Sequence, residues 1–255
     1  MPTVRLGLLT LPLAGLLVTW AAVASSAFFD FSGAGIDPQE AATAYASLGY
    51  FLSQFVGYIL GLTFLTLGVF ALTVYLSDIR GERWTLVAMV LSILGIGLLL
   101  SHYGLRTYAV PALGGAYLDG AQNAVELANA IFGDPTQSVF YAAFLLYSAG
   151  FILFGFAVWG SGTLPKWGGV LLAIHAPLLS GPLPDLFSVL GALLLLVGGG
   201  WVTFAVLRRP PTRGAAGAEP EKPPTRRPVT RLRRTGTPSS KRNTPLVPVA
   251  VLAAG

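Results

Sequence analysis

The chain of 255 residues contains no cysteine and carries little charge. Without cysteine there is no disulfide framework, no thiol nucleophile and no cysteine-ligated metal site. Charged residues make up 11% of the chain, whereas an ordinary soluble domain has about 25%. Its two histidines, His102 and His175, have no closely spaced carboxylate beside them, so no metal site is predicted. No HExxH, GxSxG or P-loop pattern occurs, and no cofactor is predicted.

Apolar residues dominate instead. They make up 54% of the chain, and the mean hydropathy is +0.69. Six stretches without formal charge lie between these pairs: Arg5 and Asp30, Glu40 and Asp78, Arg83 and Arg106, Asp134 and Lys166, Lys166 and Asp185, and Asp185 and Arg208. A bilayer core of roughly 30 Å requires about 20 apolar residues as helix. The sequence therefore predicts an all-α, polytopic transmembrane bundle of six helices over residues 1–209.

Two of the six stretches have a second interpretation. At the N-terminus, Arg5, an apolar run over 6–20 and small residues over 22–27 resemble a cleaved secretory signal. The run is longer than the usual apolar region of about 7–15 residues, so a retained helix is favoured. The fifth stretch supplies apolar residues only over 168–181, about 21 Å of helix. A short span is favoured there over a re-entrant segment, which would put the basic C-terminal tail outside.

The loops between the stretches alternate in charge. Those around 28–47, 102–137 and 181–185 are acidic, whereas those at 77–83, 161–167 and 208–209 carry Lys or Arg. Because Lys and Arg in short loops mark the cytoplasmic side, both termini are predicted to be cytoplasmic in a multi-pass protein of the plasma membrane. Within the outer loop 102–137, apolar residues recur at helical spacing, which predicts an amphipathic helix over 116–132. Its Leu118, Val125 and Phe132 are expected to rest on the bundle.

Three residues near the outer end of the third helix are candidates for ligand binding. His102 and Arg106 are four residues apart and share one helical face, and Tyr103 lies beside them. Ionisable groups at membrane depth are costly to bury and are often functional. Snorkelling lowers that cost near the interface, so anchoring of the helix end is the alternative interpretation.

Two further candidates lie deeper in the predicted helices. His175 is in the fifth helix, two residues before Pro177, which frees a backbone carbonyl that a neighbouring group could satisfy. A proton relay or ligand role for His175 stands beside a purely structural one. Gln54 is a polar candidate in the second helix, where Gly57 and Gly61 form a GxxxG pattern that predicts close helix packing.

The basic charge belongs to the C-terminal tail. Residues 1–209 contain 7 basic and 9 acidic side chains, whereas residues 210–255 contain 9 basic and 2 acidic. With half of the prolines as well, the tail is predicted to be disordered. Anionic lipid head groups are its expected partner, through Arg226, Arg227, Arg231, Arg233 and Arg234. Nucleic acid binding is the alternative, and lipid is favoured because the tail follows the last helix directly.

Several short motifs accompany the predicted helices: DPQE at 37–40, YAVPAL at 108–113, GTLPKWGGV at 162–170 and the arginines at 208–209. In these features the sequence resembles a broad family of six-helix bacterial integral membrane proteins that has no assigned activity. The resemblance covers residues 4–209 and implies the six-helix fold, without implying any catalytic residue.

The sequence alone favours a non-enzymatic membrane protein with a cavity for a lipid or a small apolar molecule within the bundle. A small transporter or permease subunit is the alternative, although no convincing inverted repeat with interrupted helices occurs. A membrane-embedded enzyme is the third class, and it would require polar groups that converge at one depth. The oligomeric state does not follow from the sequence.

Overall fold

The structure is a computed structural model that describes residues 2–26, 37–80, 83–121, 123–180 and 185–208. Within these ranges the secondary structure is helical, without strands. The α-helices are α1 (Pro2–Leu8), α2 (Thr10–Ser26), α3 (Pro38–Tyr45), α4 (Leu48–Leu52), α5 (Gly61–Arg80), α6 (Arg83–Leu118), α7 (Ala124–Phe132), α8 (Thr136–Gly160), α9 (Lys166–Ser180) and α10 (Asp185–Leu207). A π-helical segment, Ser53–Leu60, joins α4 to α5.

Among the described residues, five helical segments are long and apolar enough to cross a membrane, namely Thr3–Ala24, Leu48–Ser77, Arg83–Leu118, Thr136–Gly160 and Leu186–Leu207. Their outer faces carry large apolar side chains such as Leu94, Leu145 and Phe156, which are 53%, 64% and 69% exposed. Soluble monomers rarely expose broad apolar surfaces, so the structure indicates a membrane protein. The helix α9 has 15 residues, about 22 Å, and is shorter than a bilayer core.

Six helices form a closed ring of neighbours. Along the chain, α2 packs against α5, α5 against α6, α6 against α8, α8 against α9 and α9 against α10, and α10 returns to α2. One continuous core of buried apolar side chains runs through this ring. The predicted close packing of Gly57 and Gly61 is confirmed, since both lie against α2, with Ala21 and Val18 as their neighbours.

The first long apolar helix, α2, is part of the core. Leu11, Val18 and Ala21 of α2 are fully buried. Pro12 has no N–H, so the carbonyl of Leu8, four residues earlier, lacks its usual helical partner. The Thr203 hydroxyl of α10 donates to that carbonyl at 2.8 Å. This bond joins the first and last helices and satisfies a backbone group that hydrocarbon could not.

The predicted boundary of the third helix is wrong. A loop was expected to begin at His102, but α6 runs from Arg83 to Leu118, 36 residues in all, with Pro111 inside it. The charge of Arg106 marked the boundary, yet the residues that follow it are mostly apolar and pack against α3. At about 54 Å, α6 is far longer than a bilayer core.

The predicted amphipathic helix over 116–132 is accordingly two helices. The chain turns at Asp119 and Gly120, and the glycine φ of +90° lies in the left-handed region that suits glycine. The helix α7 then begins at Ala124. Leu118 is 41% exposed and ends α6 instead of resting on the bundle. The tail at 209–255, with its five candidate arginines, lies outside the described residues, as do residues 28–36 of the acidic loop predicted around 28–47.

The contact between α6 and α8 allows a direct test of the packing. A Cβ on Gly95 would lie 2.4 Å from the backbone nitrogen of Tyr147, whereas a Cβ on Gly97 would meet nothing within 4 Å. We expect Gly95→Ala to destabilise the bundle by roughly 1–3 kcal/mol through overpacking. Gly97→Ala should be neutral or stabilising, because alanine is the better helix former. Thermal unfolding of both variants in detergent measures the difference, and equal stabilities would contradict the α6–α8 contact.

Candidate functional site

A cavity of about 580 Å³ lies where α3, α4, α6, α7 and α8 meet at one end of the bundle. Its wall is mainly aliphatic and aromatic, and the aromatic members are Tyr45, Tyr50, Tyr117, Phe132 and Phe140. The polar lining residues that the structure describes are His102, Arg106, Asn129 and Gln137, besides the tyrosine hydroxyls. A volume of this size and an apolar wall with few polar groups are typical of small-molecule sites.

Short capped helices form one side of this cavity. The side chain of Asp37 accepts a hydrogen bond from the backbone N–H of Gln39 at 3.1 Å, and Pro38 occupies the first turn, so α3 begins there. Ser47 caps α4 in the same way by accepting from the N–H of Tyr50 at 3.1 Å. Gly114 of α6 lets α3 approach, since a Cβ there would lie 2.8 Å from the Ala42 carbonyl.

Arg106 and His102 project into this space from successive turns of α6. Arg106 interacts with the hydroxyl of Tyr50, and the Tyr50 ring packs edge-on against Tyr45 with centroids 5.0 Å apart. The His102 ring lies 4.7 Å from that of Phe140 in α8. The structure thus brings two of the five candidate ligand-binding residues into one cavity.

The described residues of the cavity wall include one Arg or Lys, Arg106, and none that is acidic. Arg106 is 23 residues beyond Arg83 at the start of α6, which corresponds to about 35 Å along the helix. This distance exceeds the hydrocarbon thickness of roughly 30 Å. If Arg83 marks one membrane surface, the guanidinium lies at head-group level near the other.

Tyr103 and Gln54 lie outside the cavity wall. The ring of Tyr103 stacks on that of Tyr58, with centroids 4.2 Å apart and nearly parallel planes. Gln54 is fully buried in the π-helical segment, and neither atom of its amide has a hydrogen-bond partner in the described structure. The Nδ1 atom of His102 is likewise shielded from solvent and unpaired. Unpaired buried polar groups cost about 1–3 kcal/mol each and are uncommon in folded proteins.

His175 is placed elsewhere, between α8 and α9. Its Nδ1 pairs with the carbonyl of Leu172, which can only accept, so Nδ1 carries the proton. The Tyr147 hydroxyl then donates to Nε2 at 2.9 Å. The Phe151 ring meets the imidazole edge-on with centroids 4.6 Å apart. Both ring nitrogens are satisfied inside the bundle, which favours the structural interpretation of His175, and a ligand role stays a prediction.

Sequence reasoning missed most of the cavity wall. The aromatic lining residues come from four different helices, and their spacing in the sequence does not predict that they line one cavity. They are Tyr45, Tyr50, Tyr117 and Phe140. A usable signal was the cluster of tyrosine and phenylalanine that follows the DPQE motif, because aromatic side chains are common in ligand pockets. The described residues contain no group of three or more potential metal-binding side chains.

Comparisons of the chain with protein-family models, with curated proteins and with solved structures found no match. The cavity is therefore the feature of the protein from which a function can be inferred.

A conservative variant tests whether the hydrogen bond between Tyr147 and His175 stabilises the bundle. Tyr147→Phe removes the donor and leaves the buried Nε2 atom unpaired, so we expect a loss of about 1–3 kcal/mol in stability. Tyr141→Phe on the same helix is the control, because its hydroxyl takes part in an exposed bond with Gln137. Thermal unfolding in detergent should order the proteins as wild type and Tyr141→Phe above Tyr147→Phe. Unchanged stability of Tyr147→Phe would contradict a structural role for the hydrogen bond between Tyr147 and His175.

Proposed function

We propose that this protein binds a lipid or a small apolar molecule in the cavity between α3, α4, α6, α7 and α8. The observation that carries the proposal is an apolar, aromatic-lined space of about 580 Å³ at the end of the longest membrane helix. Clefts of this size with an apolar wall and a few polar groups are the usual form of a small-molecule site.

The position of the cavity favours a ligand that comes from the membrane. Arg106 at its floor lies near head-group level if Arg83 marks the opposite surface. Apolar residues of α6 beyond Arg106 continue the wall away from the hydrocarbon core, under α3 and α7. A molecule that enters from the membrane would therefore contact an apolar cavity wall that begins at the membrane interface. The described wall places no acidic side chain beside His102 and Arg106, so an enzyme is the least supported of the three classes.

We further propose a topology of six spans with both termini in the cytoplasm of a plasma-membrane protein. The helix α9 would be a short sixth span, and the chain would then cross the membrane an even number of times. Support comes from the basic residues at 80–83 and 166 and the acidic residues at 119, 126 and 134. In this orientation the cavity faces the outside. Membership of the six-helix family that the sequence resembles is part of the same proposal.

A small transporter is the second candidate, and the π-helical segment is the observation that favours it. Such segments often mark functional sites. This one begins three residues after Tyr50 of the cavity wall and holds the unpaired amide of Gln54. A change of helical geometry in this segment, which follows the cavity wall in the chain, would open a path from the cavity into the bundle.

The tail is proposed to contact anionic lipid at the inner membrane surface. Its five arginines at 226–234 could each contribute about 1 kcal/mol near such a surface. This contact would be independent of the cavity and would be weakened by salt. Vesicle sedimentation with a peptide of residues 210–255 checks it, and equal binding to neutral and anionic vesicles would contradict it.

Filling part of the cavity should weaken ligand binding. Ala128 of α7 lines the space, whereas Ala130 on the same helix is exposed and does not. With radiolabelled hexadecanol as the probe, we expect Ala128→Phe in the purified full-length protein to weaken binding about tenfold or more. That loss corresponds to two displaced methylene groups at roughly 0.8 kcal/mol each. Ala130→Phe should bind like wild type, and equal binding by both variants would mean that the probe sits elsewhere.

The orientation can be measured because the chain has no cysteine of its own. Glu126→Cys and Lys166→Cys place single thiols at exposed positions at opposite ends of the bundle. In intact cells an impermeant thiol reagent should label Glu126→Cys at once and Lys166→Cys only after permeabilisation. The reverse order would invert the topology, and labelling of both from one side would contradict the single span, α8, that separates the two positions.

A further inference from the structure

We propose that the ligand of this cavity is a single-chain molecule whose polar end is an oxygen acceptor, and that this oxygen accepts a hydrogen bond from Nε2 of His102. This inference rests on the proposed function and narrows it from an apolar molecule to one chemical class. It follows from the orientation of the His102 ring, the volume of the cavity and the apolar wall that follows His102 along α6.

The His102 ring meets the cavity along one edge. His102 lines the cavity and is partly exposed. Its Nδ1 atom, however, is shielded from solvent and has no hydrogen-bond partner in the described structure. The ring packs on Phe140 of α8 with centroids 4.7 Å apart. Since Nδ1 does not reach the cavity, the edge that does is the one that carries Nε2.

The shielded nitrogen fixes the position of the proton. A neutral imidazole carries one N–H, and its other nitrogen is an acceptor. A buried N–H without a partner is rarer in proteins than a buried acceptor without one. The proton of His102 is therefore assigned to Nε2, and the ring presents a hydrogen-bond donor to the cavity. His175 has the opposite assignment, because its Nδ1 pairs with the Leu172 carbonyl.

A donor at this position selects an oxygen acceptor in the ligand. A hydroxyl, an ester carbonyl or a carboxylate can accept from Nε2, whereas an alkyl end or an ammonium group cannot. A purely apolar ligand would cover this N–H and leave it unpaired, which costs binding free energy. The contact does not require Arg106, whose guanidinium already interacts with the Tyr50 hydroxyl.

The volume and the rest of the wall suit one chain. About 580 Å³ holds roughly 20 non-hydrogen atoms if each occupies about as much volume as a water molecule, ~30 Å³. One acyl chain with a small head has about this number. Val110 and Leu113 line the cavity about two and three turns after His102 on α6, and Phe132 of α7 joins them. A head held by His102 therefore leaves its chain against these apolar side chains.

Probes that differ at one end separate the head from the chain. Methyl palmitate ends in an ester, which accepts but does not donate, and octadecane is a chain of similar length without oxygen. Each probe is titrated onto the full-length wild type and His102→Phe in detergent. Because each probe is compared with itself, its partition into micelles cancels. We expect His102→Phe to weaken methyl palmitate about threefold to tenfold, the range of a neutral hydrogen bond, and to leave octadecane unchanged.

Amide variants locate the nitrogen that donates. The amide nitrogen of glutamine reaches about as far from the backbone as Nε2 of histidine, whereas that of asparagine reaches only to the place of Nδ1. His102→Gln should therefore keep the affinity for methyl palmitate, and His102→Asn should lose it as His102→Phe does. Ser101→Ala is the matched control, since Ser101 is exposed on the same helix and is not among the described lining residues.

A measurement on the wild type is possible because the chain has only two histidines. In protein with ¹⁵N-labelled imidazoles, methyl palmitate should shift the Nε2 signal of His102. The signals of His175 should stay in place, because both of its ring nitrogens are paired inside the bundle. A shift confined to His175 would overturn the proposal. Poor folding of a variant would leave this test intact.

The outcomes distinguish the head-group contact from the site itself. If both probes bind, if Ala128→Phe weakens both and if His102→Phe affects neither, the oxygen-acceptor class is overturned and an apolar ligand site remains. Equal weakening of both probes by His102→Phe would overturn the head-group contact as well, because the ring would then only shape the wall. Binding of neither probe, or binding that Ala128→Phe does not change, would overturn the ligand site. Retained affinity in His102→Asn with a loss in His102→Gln would contradict donation from Nε2.

Discussion

Helix α6 is longer than the hydrocarbon core of a membrane is thick, and the arrangement at the cavity end of the bundle depends on this mismatch. About 20 of its 36 residues suffice to cross a hydrocarbon core of roughly 30 Å. The remaining turns continue beyond the bundle and need an apolar neighbour of their own. The short helices α3 and α7 supply it, and the space that the three leave between them is the cavity. A shorter α6 would leave α3 and α7 without a surface to pack on.

Inside the bundle, polar groups are mostly paired. The Leu8 carbonyl, which Pro12 leaves without a partner, accepts from Thr203, and His175 uses both ring nitrogens. Hydrocarbon offers no water to replace such bonds, so each one also joins two helices. The exceptions in the described structure include the Nδ1 atom of His102, which lines the cavity, and Gln54, one turn after Tyr50 of the cavity wall. The hydroxyls of Ser92, Ser148 and Thr163 are unpaired elsewhere, so unpaired polar groups are not confined to the cavity.

Uncharged stretches predicted the long helices well, because hydrophobicity decides which segments can cross a bilayer. Charge predicted their ends poorly. The charge of Arg106 predicted a loop, yet the helix continues through this residue. An arginine is tolerated inside a helix when tyrosine and apolar side chains surround it. His175 could be recognised as unusual but not assigned, since its partner Tyr147 is 28 residues away on another helix. The cavity wall could not be predicted at all, because contacts between five helices have no local signature.

The proposed ligand site of this protein is the cavity and not the lipid-facing surface. The most direct measurement is photo-cross-linking in native membranes with a diazirine-bearing analogue of palmitate, followed by mapping of the modified residues by mass spectrometry. The account predicts adducts on the cavity wall, chiefly at Val110, Leu113 and Phe132. Adducts confined to the outer apolar faces of the bundle, at residues such as Leu94 and Phe156, would contradict it.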